Sequence, residues 1–496
     1  MVDDDGAQVT TVLDPGAVGP APPLTPTRRR APAQVHLLSR DERESRGAAA
    51  RVLLPRENLA DVGTATKRPD PVDLLVSQGR SRVPELLPLR YGRMSASAFA
   101  FYRGAALLMA SDLAATPDSG LDVQLCGDAH MSNFGLYGTP ERRLLFDLND
   151  FDETLPGPFE WDVKRLLASV EIAARGIGAG DKERRKIAMD VAKAYRTAIR
   201  EFAARPNIDV WYARLDVDDF LREHGGSLGK AQSKTTASTV KKARSRDHLR
   251  SVEKMTALVD GRRRFVSDPP LVTALDDLLG DEAPAFRAAL GELVSAYQAS
   301  LQPDRRHLVG QYRLVDMARK VVGVGSVGTR AWILLLEGAD DGDHLILQAK
   351  EAQSSVLEQF LGASEYTQSG QRVVEGQRLM QAASDAMLGW QRTRGIDGVE
   401  RDFYVRQLRD WKGSAVIEDM RPEGFSRYGG LCAWTLARAH ARSGDRVAIA
   451  SYLGGSKTAD EAFAAFAATY ADRNESDHAA LVAAIGSGRL AAVHGV

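Results

Sequence analysis

The chain has 496 residues, of which 65 are basic and 66 are acidic, so its formal net charge is −1. Such a length exceeds the roughly 250–300 residues at which one hydrophobic core stops growing, so a bilobal arrangement is expected. The near-zero charge excludes a global field that would draw the chain to nucleic acid or to an acidic membrane. Cys126 and Cys432 are too few for a disulfide framework and indicate a reduced, cytoplasmic protein.

Composition divides the chain into four segments. Residues 1–35 are rich in proline and glycine and are expected to form a disordered tail without the apolar core of a signal peptide. Residues 36–306 predict the core of a large lobe, residues 307–420 a small nucleotide-binding lobe, and residues 421–496 helices that complete the large lobe. No apolar run has the length to cross a bilayer, so no membrane partner is expected.

Within the large-lobe segment, helical and strand-like patterns surround one polar loop. The apolar spacing from Ser95 predicts a helix to about residue 113. The strings LDVQL and RRLLFDL predict two strands that form a hairpin around the loop, and the helix that follows has Asp162 placed to cap it. Residues 181–300 are expected to be mostly helical. Their basic stretch, 228–254, predicts a solvated face, with phosphate binding as the alternative.

A glycine-rich string, GVGSVG, follows much later in the chain. It could open a dinucleotide-binding fold, but that fold requires a helix directly after the glycines. Here an apolar run from Trp332 follows and predicts a strand, which places the glycines at the tip of a β-hairpin that can fold over phosphates. The residues of this hairpin expected to contact a nucleotide are Gly323, Gly325, Ser326 and Gly328.

Lys350 ends the next apolar strand of the small-lobe segment. A lysine at this position, beside a glycine-rich hairpin, can reach the α- and β-phosphates of a nucleotide. Its ammonium group needs an acidic partner to hold it in place. The following helix offers Glu375, with Glu358 as the second choice.

The polar loop GDAHMSN carries residues suited to phosphoryl transfer. Asp128, at the start of the loop, can orient a substrate hydroxyl and accept its proton late in the reaction. Asn133 can coordinate a metal through its amide oxygen, because hard cations prefer oxygen ligands. His130 is expected to brace the loop by hydrogen bonds, and acid–base work by its imidazole is the alternative.

The acidic string DLNDFDE supplies candidate carboxylates for Mg²⁺. Strand alternation places Asp147 and Asn149 on one face and Asp150 on the other, so the choice of ligand depends on where the strand ends. Asp147 is the preferred ligand and Asp150 the second choice. A helix cap or a Ca²⁺-type loop is the competing interpretation, although the glycine that an EF-hand turn requires is missing.

The strings GDAHMSN and LLFDLNDFDE together resemble the catalytic and metal loops of the aminoglycoside-phosphotransferase-like branch of the protein kinase superfamily. The resemblance implies that Asp128 is the catalytic base and that Asn133 and Asp147 are Mg²⁺ ligands. It also implies that Asp162 supports the catalytic loop from the following helix. ATP would then be held by the glycine-rich hairpin and Lys350.

The order of these motifs departs from that of ordinary kinases. The glycine-rich hairpin comes about 190 residues after the polar loop instead of before it. We therefore expect an α+β, bilobal protein-kinase-like fold that is circularly permuted, with the small-lobe sheet encoded after the catalytic loop and a helical large lobe. From about residue 66 to residue 480 the chain also resembles an uncharacterised bacterial family, domain of unknown function 2252.

These patterns predict an ATP- and Mg²⁺-dependent phosphotransferase. Its acceptor is expected to be a hydroxyl on a small molecule, with a protein acceptor as the alternative. The same site could instead transfer AMP, or bind a nucleotide without turnover as a pseudokinase does. A dinucleotide-dependent oxidoreductase is disfavoured by the strand after the glycines. No nucleic-acid partner is expected, and the sequence leaves the oligomeric state open.

Overall fold

The computed structural model describes residues 38–63, 68–224, 230–245, 248–321, 323, 325–340, 342–408 and 411–495. The predicted disordered tail, residues 1–35, therefore lies outside the described residues. So do part of the basic stretch 228–254, Val324 of the glycine-rich string and Val322 just before that string.

Where the structure describes the chain, helices make up most of it before residue 310 and after residue 421. Local chemistry sets several of their starts: Ser39 and Glu42, for example, form a reciprocal capping box at the first one. In the described ranges the α-helices are α1 (Arg40–Leu53), α2 (Pro71–Gly79), α3 (Leu87–Ser95), α4 (Ala98–Gly104), α5 (Ala106–Ala114), α6 (Phe159–Gly176), α7 (Asp181–Ala203), α8 (Asn207–Tyr212), α9 (Val217–His224), α10 (Lys230–Arg244), α11 (His248–Met255), α12 (Leu275–Leu279), α13 (Ala283–Ala299), α14 (Pro303–Val309), α15 (Glu358–Leu361), α16 (Ser369–Met380), α17 (Pro422–Ser443), α18 (Arg446–Leu453) and α19 (Thr458–Gly486).

Among the described residues the strands form one large sheet and three small ones, and all of these pairings are antiparallel. They are β1 (Asp122–Leu125), β2 (Phe134–Gly138), β3 (Leu144–Leu148), β4 (Leu155–Pro158), β5 (Leu215–Asp216), β6 (Thr256–Val259), β7 (Arg262–Phe265), β8 (Val272–Ala274), β9 (Arg313–Lys320), β10 (Ala331–Glu337), β11 (His344–Ala352), β12 (Gly389–Arg394) and β13 (Glu400–Gln407). The six-stranded sheet has the order β12-β13-β11-β10-β9-β8. The smaller sheets are β2-β3-β5, β1-β4 and β6-β7.

The six-stranded sheet is covered on both faces. Because successive side chains point to opposite faces of a strand, β10 splits its apolar residues between two clusters. Leu334 and Leu336 pack in a cluster that includes residues of α13, whereas Ile333 and Leu335 pack in a cluster that includes residues of α11 and β7. A sheet buried on both faces explains the uninterrupted apolar run of this strand.

The largest apolar cluster lies among the helices and holds the small sheets in place. It includes residues of α6, α7, α17 and α19 together with residues of β1 and β3. Helix α6 is buried over almost its whole length, so the charged side chains that it carries must find partners inside the protein. Several of these charged side chains belong to the candidate site.

The mixed α+β character predicted from the sequence is confirmed, as are the helices after residue 421 and the strands and helix between residues 313 and 407. Three details differ. The helix predicted from Ser95 is broken at Ala105 into α4 and α5. The predicted hairpin around the polar loop is not formed, because β1 pairs with β4 while the residues after the loop form β2 and pair with β3.

The third difference concerns the region predicted to be mostly helical. It also contains the hairpin β6-β7 and the strand β8, which pairs with β9 at the edge of the six-stranded sheet. These strands have only three or four residues each, so their apolar pattern is too short to distinguish a strand from a helix. Within the described ranges, no helix has both the length and the apolar character required to span a bilayer.

Candidate functional site

The polar loop GDAHMSN runs from the end of β1 to a 3₁₀ turn, Met131–Asn133, and then enters β2. Its glycine is required by the geometry. Gly127 has a φ of +82°, and a Cβ atom there would lie 2.4 Å from the carbonyl oxygen of Glu153. The loop therefore packs backbone against backbone on the acidic segment that follows β3.

Asp162 supports this loop and does not cap its own helix. Helix α6 already begins at Phe159, and the Asp162 carboxylate accepts hydrogen bonds from the backbone N–H groups of Cys126 (2.8 Å) and Gly127 (3.0 Å). The Nε2 atom of His440, on α17, lies 3.3 Å from the same carboxylate. The capping role predicted for Asp162 is wrong, whereas support of the loop, the role implied by the family resemblance, agrees with these contacts.

Asp128 is held by a buried arginine. The shortest distance between the Arg165 guanidinium and the Asp128 carboxylate is 2.7 Å, and the guanidinium also lies 4.0 Å above the ring of Tyr102. Burial raises the pKa of Asp128, and the charge of Arg165 opposes that rise. The carboxylate is partly exposed and lines a cavity of about 470 Å³. We call this space the catalytic cavity, after the role predicted for Asp128 from the sequence.

His130 lines the same cavity but is almost fully buried. Burial, reinforced by the charges of Arg103 and Arg165, holds the pKa of His130 well below its ordinary value, so the imidazole is neutral near pH 7. Its Nε2 atom lies 3.6 Å from Asp128 Oδ2. A neutral ring beside the carboxylate fits a bracing role better than proton transfer.

Asn133 completes the loop's contribution to the catalytic cavity. Its side-chain N–H donates to the carbonyl oxygen of Asp128 at 2.9 Å, which fixes the orientation of the amide group. In the described part of the chain, no hydrogen bond to the Asn133 amide oxygen is formed. That oxygen is therefore available as a ligand for a hard cation.

Asp147 does not reach the catalytic cavity. Its carboxylate is 1% exposed, lies 2.6 Å from the guanidinium of Arg438 on α17, and accepts a hydrogen bond from the backbone N–H of Ala382. These partners make Asp147 a structural residue that fastens β3 to α17. A metal ion would have to displace Arg438 to reach it.

Asp150 and Asp152 follow the end of β3, and both line the catalytic cavity. Lys350, 3% exposed on β11, forms an ion pair with Asp152, and its Nζ atom lies 3.9 Å from Asp150. The hydroxyl of Tyr404 donates to Asp152 at 2.8 Å. This contact joins the six-stranded sheet to the acidic segment.

The charges at this junction shift one another's pKa values. Burial alone would raise the pKa of Asp152, but the charge of Lys350 and its hydrogen bond outweigh burial and lower it. Asp150 is farther from the ammonium group, and burial together with Asp152 raises its pKa. Burial acts to lower the pKa of Lys350, yet the two carboxylates reverse that effect and raise it, so Lys350 remains charged.

The glycine-rich string approaches the catalytic cavity from the sheet. Gly323, Gly325 and Ser326 line the cavity. Gly328 does not line it but has a φ of +88°, and its carbonyl oxygen accepts a hydrogen bond from Val83 at 2.8 Å. The string is thereby tied to the segment before α3.

Glu375 is not the partner of Lys350. In the described structure the Glu375 carboxylate is ion-paired with Arg378 at 3.1 Å, and Glu358 accepts from Ser355 and lies 3.6 Å from Arg372. The helix α16 instead reaches the acidic segment through Arg372. This buried arginine donates to the carbonyl oxygens of Asp152 (2.8 Å), Thr154 (2.7 Å) and Gln353 (2.8 Å).

Four arginines around the site were not identified from the sequence. A local sequence pattern could have indicated only one of them. Arg165 follows Asp162 by three residues, so both lie on the same face of α6 and point at the same loop. The others are Arg82, Arg372 and Arg438, which donate to Val327, Thr154 and Asp147 across 218 or more positions of the chain. Nothing in their local sequence distinguishes them from surface arginines.

Together these features define a mixed α+β protein with a polar cleft between a six-stranded sheet and a layer of helices. The chain belongs to the family described as uncharacterized protein conserved in bacteria, domain of unknown function 2252, whose family model matches residues 82–484. Neither the curated proteins nor the solved structures contain a match to the chain.

Proposed function

We propose that this protein is a Mg²⁺-dependent phosphotransferase with a circularly permuted, protein-kinase-like active site. The observation that carries the proposal is the contact of Lys350 with Asp150 and Asp152 at the edge of the catalytic cavity. Two sequence motifs about 190 residues apart, each of which predicted half of a phosphate site, thereby converge on one cleft. ATP is the donor that the family resemblance implies.

In this proposal each side chain has a distinct role. Asp128 orients the acceptor hydroxyl and takes its proton as the new bond forms, while Arg165 holds the carboxylate in position. Lys350 binds phosphate oxygens, and the glycines 323 and 325 allow the backbone to approach them closely. His130 braces Asp128 as a neutral ring.

The donor set suits Mg²⁺. Within the described residues there is no preformed group of three or more His, Cys, Asp or Glu side chains that could hold a metal ion. Mg²⁺ commonly takes only one or two protein carboxylates and fills its other positions with phosphate oxygens and water. Asp150, the Asn133 amide oxygen and Asp152 would hold the ion, which would neutralise charge that develops on the phosphates. The preference for Asp147 is therefore replaced by Asp150.

The acceptor side of the catalytic cavity is lined by Arg82, Arg103, Gln78 and Ser81. These side chains offer several hydrogen-bond donors in a space of about 470 Å³, within the range of small-molecule pockets. We therefore propose that the acceptor is a small polar molecule with a hydroxyl group, in preference to a protein.

A thermal-shift assay with ATP, with and without Mg²⁺, tests the proposal. ATP with Mg²⁺ should raise the melting temperature of the wild type, and Lys350→Met and Asp150→Asn should abolish that rise. Lys457→Met and Asp181→Asn, at exposed positions outside the cleft, serve as matched controls and should keep it. Absence of an ATP-dependent rise, or an equal rise in all variants, would refute the nucleotide site.

The destination of the label from ATP separates the alternatives at this site. Label from the γ-phosphate should reach the product of a phosphotransferase, whereas label from the α-phosphate would show transfer of AMP. Binding of ATP without transfer of either label would show a pseudokinase.

A further inference from the structure

A second cavity is lined by Lys350, which does not itself line the catalytic cavity. It has a volume of about 910 Å³ and lies between the six-stranded sheet, the helices α10 and α11, and residues 412–414. It shares Asp150, Gly323 and Ser326 with the catalytic cavity, so the two spaces meet at the proposed phosphate site. We call it the basic cavity.

The lining of the basic cavity is strongly cationic. Seven basic side chains face two acidic ones, Asp150 and Glu253. Besides Lys350, the basic residues are Lys242, Arg250, Lys254, Lys320, Arg406 and Lys412. Among the described residues, neither Lys242 nor Lys254 has an acidic partner within 4.0 Å. A cavity with such an excess of positive charge is suited to a ligand that carries many negative charges.

The described lining of the basic cavity offers no slot for a purine base. The apolar face of the sheet beside Lys350 is already closed, because Ile333, Leu335 and Ile346 are at most 1% exposed. The side chains that pack with them include Val252, Met255 and Phe265, from α11 and β7. A purine could reach this face only if α11 left the sheet.

The remaining lining offers no stacking surface either. Among the described residues of the basic cavity the apolar side chains are Met255 and Leu408, and none is aromatic. Bases of single-stranded nucleic acids are held mainly by stacking on aromatic side chains. Charge without stacking favours a ligand made of phosphates alone over a nucleotide or an RNA.

We propose that the basic cavity binds inorganic polyphosphate, with one end of the phosphate chain beside Lys350. The proposal rests on the phosphotransferase function proposed above, because it places the chain end at the same phosphate site. Lys242 and Lys254 on α10 and α11 then contact phosphates farther along the chain. In this proposal the described part of the basic stretch 228–254 binds a ligand, and it also packs on the sheet.

The test compares the affinity of the full-length protein for long-chain polyphosphate, tripolyphosphate, ATP with Mg²⁺ and poly(U) RNA. The wild type should bind long-chain polyphosphate most tightly, since a long chain offers more phosphates than tripolyphosphate to the seven basic side chains of the basic cavity. The double variant Lys242→Gln/Lys254→Gln should lose about tenfold in affinity for it, and the salt dependence of binding should fall by about two units of slope.

Matched controls decide whether the binding is specific. The double variant Lys186→Gln/Lys457→Gln removes two exposed lysines elsewhere and should bind polyphosphate as the wild type does. An equal loss in both double variants would overturn the proposal, and so would equal affinity for tripolyphosphate or for poly(U). Retained binding of ATP without binding of polyphosphate would overturn this inference alone, whereas loss of both would also overturn the proposed function.

Discussion

Two aspartates three residues apart show how the surroundings of a side chain decide its role. Asp147 lies within β3, where the strand carries its carboxylate into contact with Arg438. Asp150 lies beyond the end of β3, faces the catalytic cavity and has Lys350 as its nearest basic neighbour. The Asp147 carboxylate is buried in an ion pair within the protein, whereas the Asp150 carboxylate is accessible to a ligand in the cavity.

Removal of Asp147 should destabilise the fold. Asp147→Ala leaves the guanidinium of Arg438 buried without a counter-charge, so we expect a loss of about 3–5 kcal/mol in the free energy of unfolding. Urea denaturation followed by circular dichroism measures this loss. Asp150→Ala is the matched comparison and should change the free energy of unfolding by less than about 1 kcal/mol. If Asp147→Ala is stable and has lost only its response to Mg²⁺, the metal ligand is Asp147 and the assignment to Asp150 is wrong.

At the residue scale, the sequence identified side chains whose partners are close in the chain. Asp128, His130 and Asn133 share one loop, and the structure lines one cavity with all three. The partner of Lys350 could not be identified in this way. Glu375 was chosen by its position on the next helix, but Asp152 lies 198 positions before the lysine and only the fold brings them together.

The backbone geometry of the polar loop leaves no room for a side chain at Gly127. Gly127→Ala should destabilise the protein by about 2–5 kcal/mol, because a Cβ atom meets the Glu153 carbonyl and the backbone is left-handed. Differential scanning calorimetry measures the change. Gly178→Ala is the control: its φ is +76° but no atom lies within 4 Å of the added Cβ, so a loss of about 1–2 kcal/mol is expected. Equal losses would mean that the loop moves aside without cost.

Helix α6 carries a buried acid near its start, and this acid makes stability depend on pH. Burial raises the pKa of Glu160 to about 7, from a value of 4.5 in the unfolded chain. Its carboxyl group contributes most to stability below pH 4.5, and that contribution is lost as the pH rises towards 7. Glu160→Gln cannot ionise, so its stability relative to the wild type should rise by about 3 kcal/mol between pH 4.5 and pH 8.

Urea denaturation of the wild type and Glu160→Gln across this pH range tests the expectation for Glu160. Glutamine keeps an oxygen that can accept from the Ser119 N–H, so the local packing should survive. A constant difference between the two proteins at all pH values would show that Glu160 does not change its ionisation on folding.

The elements that sequence patterns predicted well are those with long, regular apolar spacing. Helix α6, strands β10 and β11 and the helices after residue 421 belong to this group. The hairpin β6-β7 and the strand β8 were not predicted, because they have four residues or fewer and take their stability from the sheet they pack on. Tertiary contacts stabilise these short strands, and a single sequence does not show which residues make such contacts.

For the whole molecule, the proposed function requires one ligand to contact both the sheet and the helical layer. Hydrogen–deuterium exchange with ATP and Mg²⁺ should show slower exchange in the loop 126–133, the acidic segment 150–154 and the glycine-rich region 325–329. Helix α19 is the internal control, since it does not line the catalytic cavity, and should be unchanged. Protection confined to one side of the cleft would contradict a shared site.

The burial of Cys126 gives the protein a natural reporter of loop opening. This cysteine lies directly before the polar loop GDAHMSN and its thiol is shielded from solvent. Burial raises the pKa of the thiol well above the ordinary value. Cys432, the other cysteine of the chain, is buried as well. A thiol reagent should therefore label the native protein only during transient opening. The labelling rate of Cys126 would count those events without any engineered probe, and a ligand that closes the cleft should slow it.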